Sequence, residues 1–334
     1  MAVSVKDVAV AASVSVGTVS NVLNRPDRVS PATVSRVHEA IERLGFVRND
    51  AARQLRAGRS RSIGLIVLDS ANPFFAEVAR GAEERAAVEG MVVLIGNSDQ
   101  NPLRERAYVD LFLEQRVHGV LLTPADVDDV PLRRMQDAGI RPVLVDGALP
   151  GAGVPSVAVD DVEGGYLAVA HLLARGRRRI AFVGGPLAIR QVADRLDGAR
   201  RALAESGTAT LEIIEQRALT VLDGRAAGEA LARRRAEDRP DAVFCANDLL
   251  AVGVMQGASI LGGFRVPDDL AVIGYDDIDF AQSTVVPLSS VRQPARLIGA
   301  TAVELLLDEP ASREGQPRQV RFRPELVARA STTG

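Results

Sequence analysis

Tryptophan is absent from this 334-residue chain, and cysteine and lysine occur once each, as Cys245 and Lys6. A single cysteine cannot close an internal disulfide, which excludes a disulfide scaffold and fits a reducing compartment. Cys245 lies among apolar neighbours in "AVFCAN", as a core cysteine does. The three histidines, His38, His118 and His171, stand apart with no acid or nucleophile at a telling spacing, so neither a zinc site nor a catalytic triad is read. No stretch approaches the ~20 uncharged apolar residues of a membrane span. The start, "MAVSVKDVAVAASVSV", has no apolar run after a basic segment, so no secretory signal is read and a cytoplasmic protein is expected. "GGP" at Gly184 to Pro186 lacks the Gly-Lys-Ser/Thr of a phosphate loop. Asp276, Asp277 and Asp279 supply too few convergent oxygens for a hard cation, so no metal or cofactor is expected.

What remains is a globular composition, 47% hydrophobic and 25% charged, long enough for two or three domains. Charge is unevenly placed. Residues 1–61 carry ten basic side chains against five acidic ones, a net of +5, while the rest carries 30 against 38, a net of −8. A basic end on an acidic body suggests a nucleic-acid module joined to something that does not bind nucleic acid.

The basic end reads as three short helices. Ser4-Val5-Lys6-Asp7 is a capping box, followed by an apolar stripe of Val5, Val8, Ala9 and Ala12. Ser15 can cap a second helix. Ser30-Pro31 marks a third, which carries Val34, Val37, Ala40, Ile41 and Leu44 inward and stops at Gly45. This is the pattern of a helix-turn-helix, whose second helix enters the major groove. Val14, Val19, Val22 and Leu23 would face inward. Val16, Gly17, Ser20 and Asn21 would face DNA, and Thr18 would face DNA or a phosphate. The small residues let the helix sit deep, Val16 can touch a thymine methyl, and Asn21 can pair with adenine. Ser15 and Asn24 complete the candidate set on this helix.

From Ser62 onward, strand and helix alternate. "SIGLIVLD" is a nearly continuous apolar run, as expected of a parallel strand buried on both faces. Further strands are expected at "MVVLIGN", "GVLLTP", "PVLVDG", "IAFVGG", "AVFCAN" and "LAVIGYD", giving an α/β core with parallel sheets. Ligands bind beyond the carboxyl ends of such strands. The polar residues there are Asp69, Thr123, Asp146, Asn247, Asp248 and Asp276.

In order along the chain, "VKDVAVAASVSVGTVSNVLNRPDRVSPATVSRVHEAIERLGFVRNDAARQLRAGRSRSIGLIV", "NPFFAEVARGAEERA", "RVHGVLLTP", "VDDVEGGYLAVAHLLARGRRRIAFVGGP", "DRLDGARRAL", "CANDLLAVG", "VPDDLAVIGYDDIDFA" and "PLSSVRQP" closely resemble the lactose-repressor (LacI/GalR) family of bacterial transcription factors. The resemblance implies a helix-turn-helix headpiece over residues 1–48, a hinge helix and linker over 49–61, and an effector-binding and dimerisation core over 62–334. The core would be like periplasmic sugar-binding proteins: two subdomains joined by three crossovers, one near 62–160 with 291–320, the other near 161–290 with 321–334. "NDAARQLRAG" is too short for a stable isolated helix. The resemblance implies that it folds on operator DNA, with Leu55 wedged into the minor groove and Asn49, Arg53 and Arg56 as further contacts.

The same resemblance makes Arg195 an effector-binding arginine and Asp276 its partner, a pair suited to vicinal hydroxyls. Phe74 or Phe75 can wall a sugar face, and Asp160 and Gln191 occupy positions that commonly reach ligand. Family members that bind purines place aromatic rings on both faces of the base. Here the position opposing the phenylalanines is Leu219. The implied protein is a repressor of palindromic double-stranded operator DNA, acting as a homodimer and gated by a mono- or disaccharide, rather than an exported solute-binding protein or an enzyme. The sequence closes on "LVARASTTG" with no heptad after Val327, from which a dimer rather than a tetramer is expected. Two positions depart from the family pattern: Ser13 stands at a turn where glycine is frequent, and Asn21 where a longer side chain is common.

Overall fold

The computed structural model describes residues 3–46, 60–126, 128–147, 149, 151–207, 209–308 and 317–333. The chain divides into two compact units, Met1–Arg59 and Ser60–Gly334. The hinge positions Asn49, Arg53, Leu55 and Arg56 lie outside the described residues.

The first unit contains α1 (Val5–Ala11), α2 (Val16–Asn24) and α3 (Pro31–Leu44). Its start is fixed by the expected capping box. Asp7 N donates to Ser4 Oγ at 3.4 Å, and Asp7 Oδ2 accepts from the Ser4 amide at 2.8 Å and from its hydroxyl at 2.7 Å. Those hydrogen bonds, the hydroxyl's first, hold the Asp7 carboxyl below its ordinary pKa. Val8, Ala9, Ala12, Val19, Val22, Val37 and Ala40 make the core of the bundle, with Val14, Leu23, Val34, Ile41 and Leu44 packed half-buried around it. Between α1 and α2, Ser13 adopts φ 53°, a left-handed conformation that explains why glycine suits this turn. Gly45 ends α3 in the same region, at φ 62°.

The second unit holds two six-stranded sheets. The strands are β1 (Ser62–Val67), β2 (Val92–Asn97), β3 (Gly119–Leu122), β4 (Arg141–Val145), β5 (Ser156–Val159), β6 (Arg179–Gly184), β7 (Thr210–Glu215), β8 (Ala242–Cys245), β9 (Ala271–Asp276), β10 (Ser289–Arg292), β11 (Gln319–Phe322) and β12 (Glu325–Val327). The first sheet runs β11-β5-β4-β3-β1-β2 and the second β12-β10-β9-β8-β6-β7. Every pair is parallel except β10 with β12. In β1, β3, β4, β6, β8 and β9 the side chains are buried almost throughout, which is why they read as apolar runs.

The chain crosses between sheets three times: between β5 and β6, between β10 and β11, and between β11 and β12. β10 reaches Arg292 in the second sheet and β11 reaches Phe322 in the first. The second and third crossings therefore lie beyond Arg292 and beyond Phe322, past the boundaries expected near 290/291 and 320/321. Each strand runs to its own end before the chain leaves the sheet.

Helices Pro73–Val88 (α4), Pro102–Glu114 (α5), Val130–Asp137 (α6), Asp161–Ala174 (α7), Arg190–Ser206 (α8), Val221–Ala232 (α9), Asp248–Gln256 (α10), Asp279–Ser283 (α11) and Ala295–Leu307 (α12) cover the sheets. Close backbone contact sets the helix pairs. A Cβ on Gly165 of α7 would lie 1.9 Å from the Arg195 carbonyl oxygen of α8. The crossing thereby brings the Arg195 side chain beside the start of α7.

Candidate functional site

On the headpiece, Ser15 caps α2, its hydroxyl accepting from Thr18 N at 3.0 Å and sharing a hydrogen bond with Thr18 Oγ1 at 2.9 Å. Val19 and Val22 are buried, while Val16, Gly17 and Asn21 are exposed and Thr18 and Ser20 half-buried. The uncharged face expected of α2 is thus a real surface. Asn24 turns back along the helix, donating to the Ser20 carbonyl at 2.8 Å and to its hydroxyl at 3.3 Å. This local bonding sets Asn24 apart from Val16, Gly17 and Asn21.

A cavity of about 440 Å³, openings to solvent included, lies between the two sheet subdomains. The first subdomain contributes Asp69, Phe74, Phe75 and Asp146, and the second Gln191, Arg195, Leu219, Asn247 and Asp276. Nine of the twelve residues expected at the ligand site therefore converge. They come from strand ends and from the starts of the following helices, where backbone turns leave side chains free to point across the gap.

Arg195 is 4% exposed. Its Nε donates to Asp161 Oδ1 at 2.8 Å, its Nη1 donates to the Ala246 carbonyl at 2.7 Å, and its guanidinium stacks 3.7 Å from the centre of the Tyr275 ring. Nη1 lies 3.9 Å from Asp276 Oδ1, so the expected pair is present. Burial opposes the guanidinium charge, but Asp161, Tyr275, Asp276 and Asp146 together raise its pKa above the ordinary value. Asp276 accepts from Asn72 Nδ2 at 3.0 Å and Gln293 Nε2 at 2.8 Å. Burial pushes the Asp276 carboxyl up, against the pull of Arg195 and these two amides. Asp146 is pushed well up, by burial first and by Asp161 next. Gln191 Nε2 donates to the Asp146 carbonyl and lies 3.3 Å from its Oδ2. Asp146 Oδ1 is buried with no hydrogen-bond partner among the described residues.

Three expected residues lie outside the cavity lining. Asp248 is buried, accepting from Ser290 Oγ at 2.7 Å and Ile278 N at 2.9 Å. Asp160 caps α7, accepting from Glu163 N at 3.1 Å, with Arg321 3.7 Å from its other oxygen. Its neighbour Asp161 is the residue that turns inward to Arg195; in an Asp-Asp pair at a helix start, sequence does not fix which one caps. Thr123 is fully buried behind the end of β3. Asn247 lines the cavity but is also a cap: its Oδ1 accepts from Leu250 N at 2.9 Å and its Nδ2 donates to the Leu219 carbonyl at 3.2 Å. Asn72 was not anticipated. It caps α4 through Phe74 N, at 3.0 Å, and reaches across to Asp276. The "NPFF" cap signal was visible, but the partner, 204 residues away, was not. Leu68, Gln100, Ile189 and Val192 complete the lining and carry no sequence signal of their own.

Cys245 is fully buried, and burial, then Asp248, raises its thiol pKa well above the ordinary value. No group of three or more His, Cys, Asp or Glu among the described residues is placed to hold a metal. No helix among them is long and apolar enough to cross a membrane.

Residues 4–49 match the family described as "Bacterial regulatory proteins, lacI family", and residues 169–332 match "Periplasmic binding protein-like domain". A protein named "HTH-type transcriptional repressor PurR" from Photobacterium profundum is 34% identical over 337 aligned positions, 98% of each chain. Among solved structures, the lac repressor dimer bound to operator and the anti-inducer ONPF has a TM-score of 0.83 at 28% identity, covering 100% of both chains. A transcriptional regulator CelR–cellobiose complex has a TM-score of 0.72 at 31% identity, covering 98% of this chain and 99% of the other.

Proposed function

Because this chain belongs to the lacI family of bacterial regulatory proteins, we propose that it binds a palindromic operator as a homodimer and that a sugar in the inter-subdomain cavity sets its affinity for DNA. It is a transcriptional regulator and not an enzyme, as its relatives are. Two headpieces related by a two-fold axis suit two half-sites, with the exposed Val16, Gly17 and Asn21 reading base edges. Leu55 is the proposed minor-groove wedge, with Asn49, Arg53 and Arg56 beside it. Val92, Leu94 and Ile95 on the edge strand β2, and Phe280 and Val285 beyond β9, are exposed apolar residues that support an interface on the body of the protein. Action on DNA implies a cytoplasmic protein.

The observation that carries the sugar reading is the polar lining. Arg195, Asp276, Asn72, Gln191 and the unpaired Asp146 Oδ1 surround a cavity whose only lining rings, among the described residues, are Phe74 and Phe75. A sugar supplies hydroxyl donors and acceptors to such a lining and lays one apolar face on a phenylalanine. A ligand that binds the two subdomain arrangements unequally shifts the balance between DNA-bound and free forms.

The second reading is a purine, favoured by the name PurR carried by the curated relatives. Against it, the second subdomain offers Leu219 where a second aromatic ring would sandwich a base, at a loss of about 0.5–1.5 kcal/mol beyond burial. Calorimetry of the purified protein against neutral sugars, hypoxanthine and guanine separates the two. Sugar binding without purine binding is expected; tight purine binding alone would replace the sugar reading.

A further inference from the structure

Asp276 stands on an unusual backbone. It has φ 104° and its neighbour Asp277 has φ 52°, two successive residues other than glycine at positive φ. Such a turn persists only where its surroundings over-determine it.

A ring of side chains does so. The Asp277 amide donates to Ser290 Oγ at 3.0 Å, and the Ser290 hydroxyl donates to Asp248 Oδ1 at 2.7 Å. Asp248 Oδ2 accepts from Ile278 N at 2.9 Å. The Asp248 carboxylate fits there because β9 has glycine beneath it: a Cβ on Gly274 would lie 2.1 Å from Asp248 Oδ1. The Asp277 side chain, 5% exposed, is held between two cations. Arg292 Nε donates to its Oδ2 at 2.7 Å, and Arg329 Nη1 lies 2.6 Å from its Oδ1. Arg329 Nη1 also donates to the Leu288 carbonyl at 2.7 Å, which fixes the guanidinium. Arg292 is the last residue of β10, where the chain leaves for the first subdomain, and Arg329 follows β12, where it has returned.

Asp277 itself does not line the cavity between the sheet subdomains. We propose that Asp277 is a positioning residue: clamped by Arg292 and Arg329, it holds the turn that aims the Asp276 carboxylate at Asn72, Gln293 and Arg195. The inference rests on that cavity being the effector site, and it holds for a sugar or a purine alike. An aspartate suits the position for two reasons. Its carboxylate meets both arginines at once, one at each oxygen. Its short polar side chain also tolerates left-handed backbone, which most side chains do not. Released from the clamp, the turn relaxes toward ordinary φ, and that rotation swings Asp276 away from its partners.

Two measurements test this. The first needs no ligand: crystal structures of the full-length wild type and of Asp277→Ala. In the variant, Asp276 should leave positive φ and lose its hydrogen bond from Asn72. The second is calorimetry of both proteins, well below their melting temperatures, against glucose, cellobiose, hypoxanthine and guanine. Whichever of these binds the wild type should bind Asp277→Ala about 10–100-fold more weakly, the loss that follows removal of an outer partner from a metal-binding side chain. Asp277→Asn, which keeps the left-handed turn and one arginine, should fall between. A residue that only stabilised the fold would lower the melting temperature and leave these affinities alone. If Asp277→Ala does not fold, Arg329→Met, which leaves the residues of the turn in place, carries the same two readouts. An unchanged Asp276 conformation, or unchanged affinity for a probe that binds the wild type, would overturn the positioning role and leave the effector site standing. If none of the four binds the wild type, the effector reading fails for these probes, and the crystal structures alone decide the positioning role.

Discussion

Arg195 stands among three buried carboxyls, and its removal has a pH signature. In Arg195→Ala, Asp161 loses the largest influence opposing its burial, and Asp276 likewise. Their folded pKa values, already raised, rise further above the unfolded value of about 3.9. An acid whose folded pKa is raised favours folding fully only below its unfolded pKa, and that contribution is lost as pH rises through the folded one. The variant should therefore melt lower than wild type by the equivalent of about 3–5 kcal/mol at neutral pH, with a smaller deficit at pH 5. Thermal melts at the two pH values check this; an equal deficit at both would contradict it. On the headpiece, changing Asn21 or Val16 should cost about 1–3 kcal/mol and alter base preference at a few operator positions. Equal weakening on operator and random DNA, in titrations at fixed salt, would remove these residues from base reading. At this scale the sequence revealed residues with a motif around them, such as Arg195 in "ADRLDG". It pointed to Asp160, whereas Asp161 faces inward, because which of the two caps depends on where α7 begins.

Among the elements, the α7–α8 crossing holds the site together. Gly165 meets the backbone of Arg195 itself, and a Cβ on Gly198 would lie 1.9 Å from the Val162 carbonyl oxygen. Gly165→Ala must push the helices apart and draw Arg195 from Asp161. Overpacking of this kind costs about 1–3 kcal/mol. The variant should lose effector affinity along with melting temperature while its operator binding at low temperature persists; unchanged effector affinity in calorimetry would show that the crossing does not position Arg195. The strands buried on both faces were legible as apolar runs. β7, "TLEIIE", was not, because as an edge strand it alternates acids with apolar residues and half faces water. β5, β10, β11 and β12 are short and each carries a polar residue, unlike the equally short but wholly apolar β3 and β8; long-range pairing makes them strands.

For the whole molecule, two claims remain to be joined: a basic headpiece that reads DNA and an acidic body that binds a ligand. If the exposed apolar residues on β2 and beyond β9 form the proposed interface, light scattering at micromolar concentration should give a dimer; a stable tetramer or a monomer there would contradict it. The central claim is that the cavity and the headpiece are coupled. The direct measurement is a titration, at fixed salt, of an operator duplex selected from random DNA, with and without a saturating sugar that binds by calorimetry. The sugar should change operator affinity by about 5–150-fold in the wild type, the range of ordinary allosteric coupling, and leave Arg195→Ala unaffected. A sugar that binds the cavity yet leaves wild-type operator affinity unchanged would contradict it.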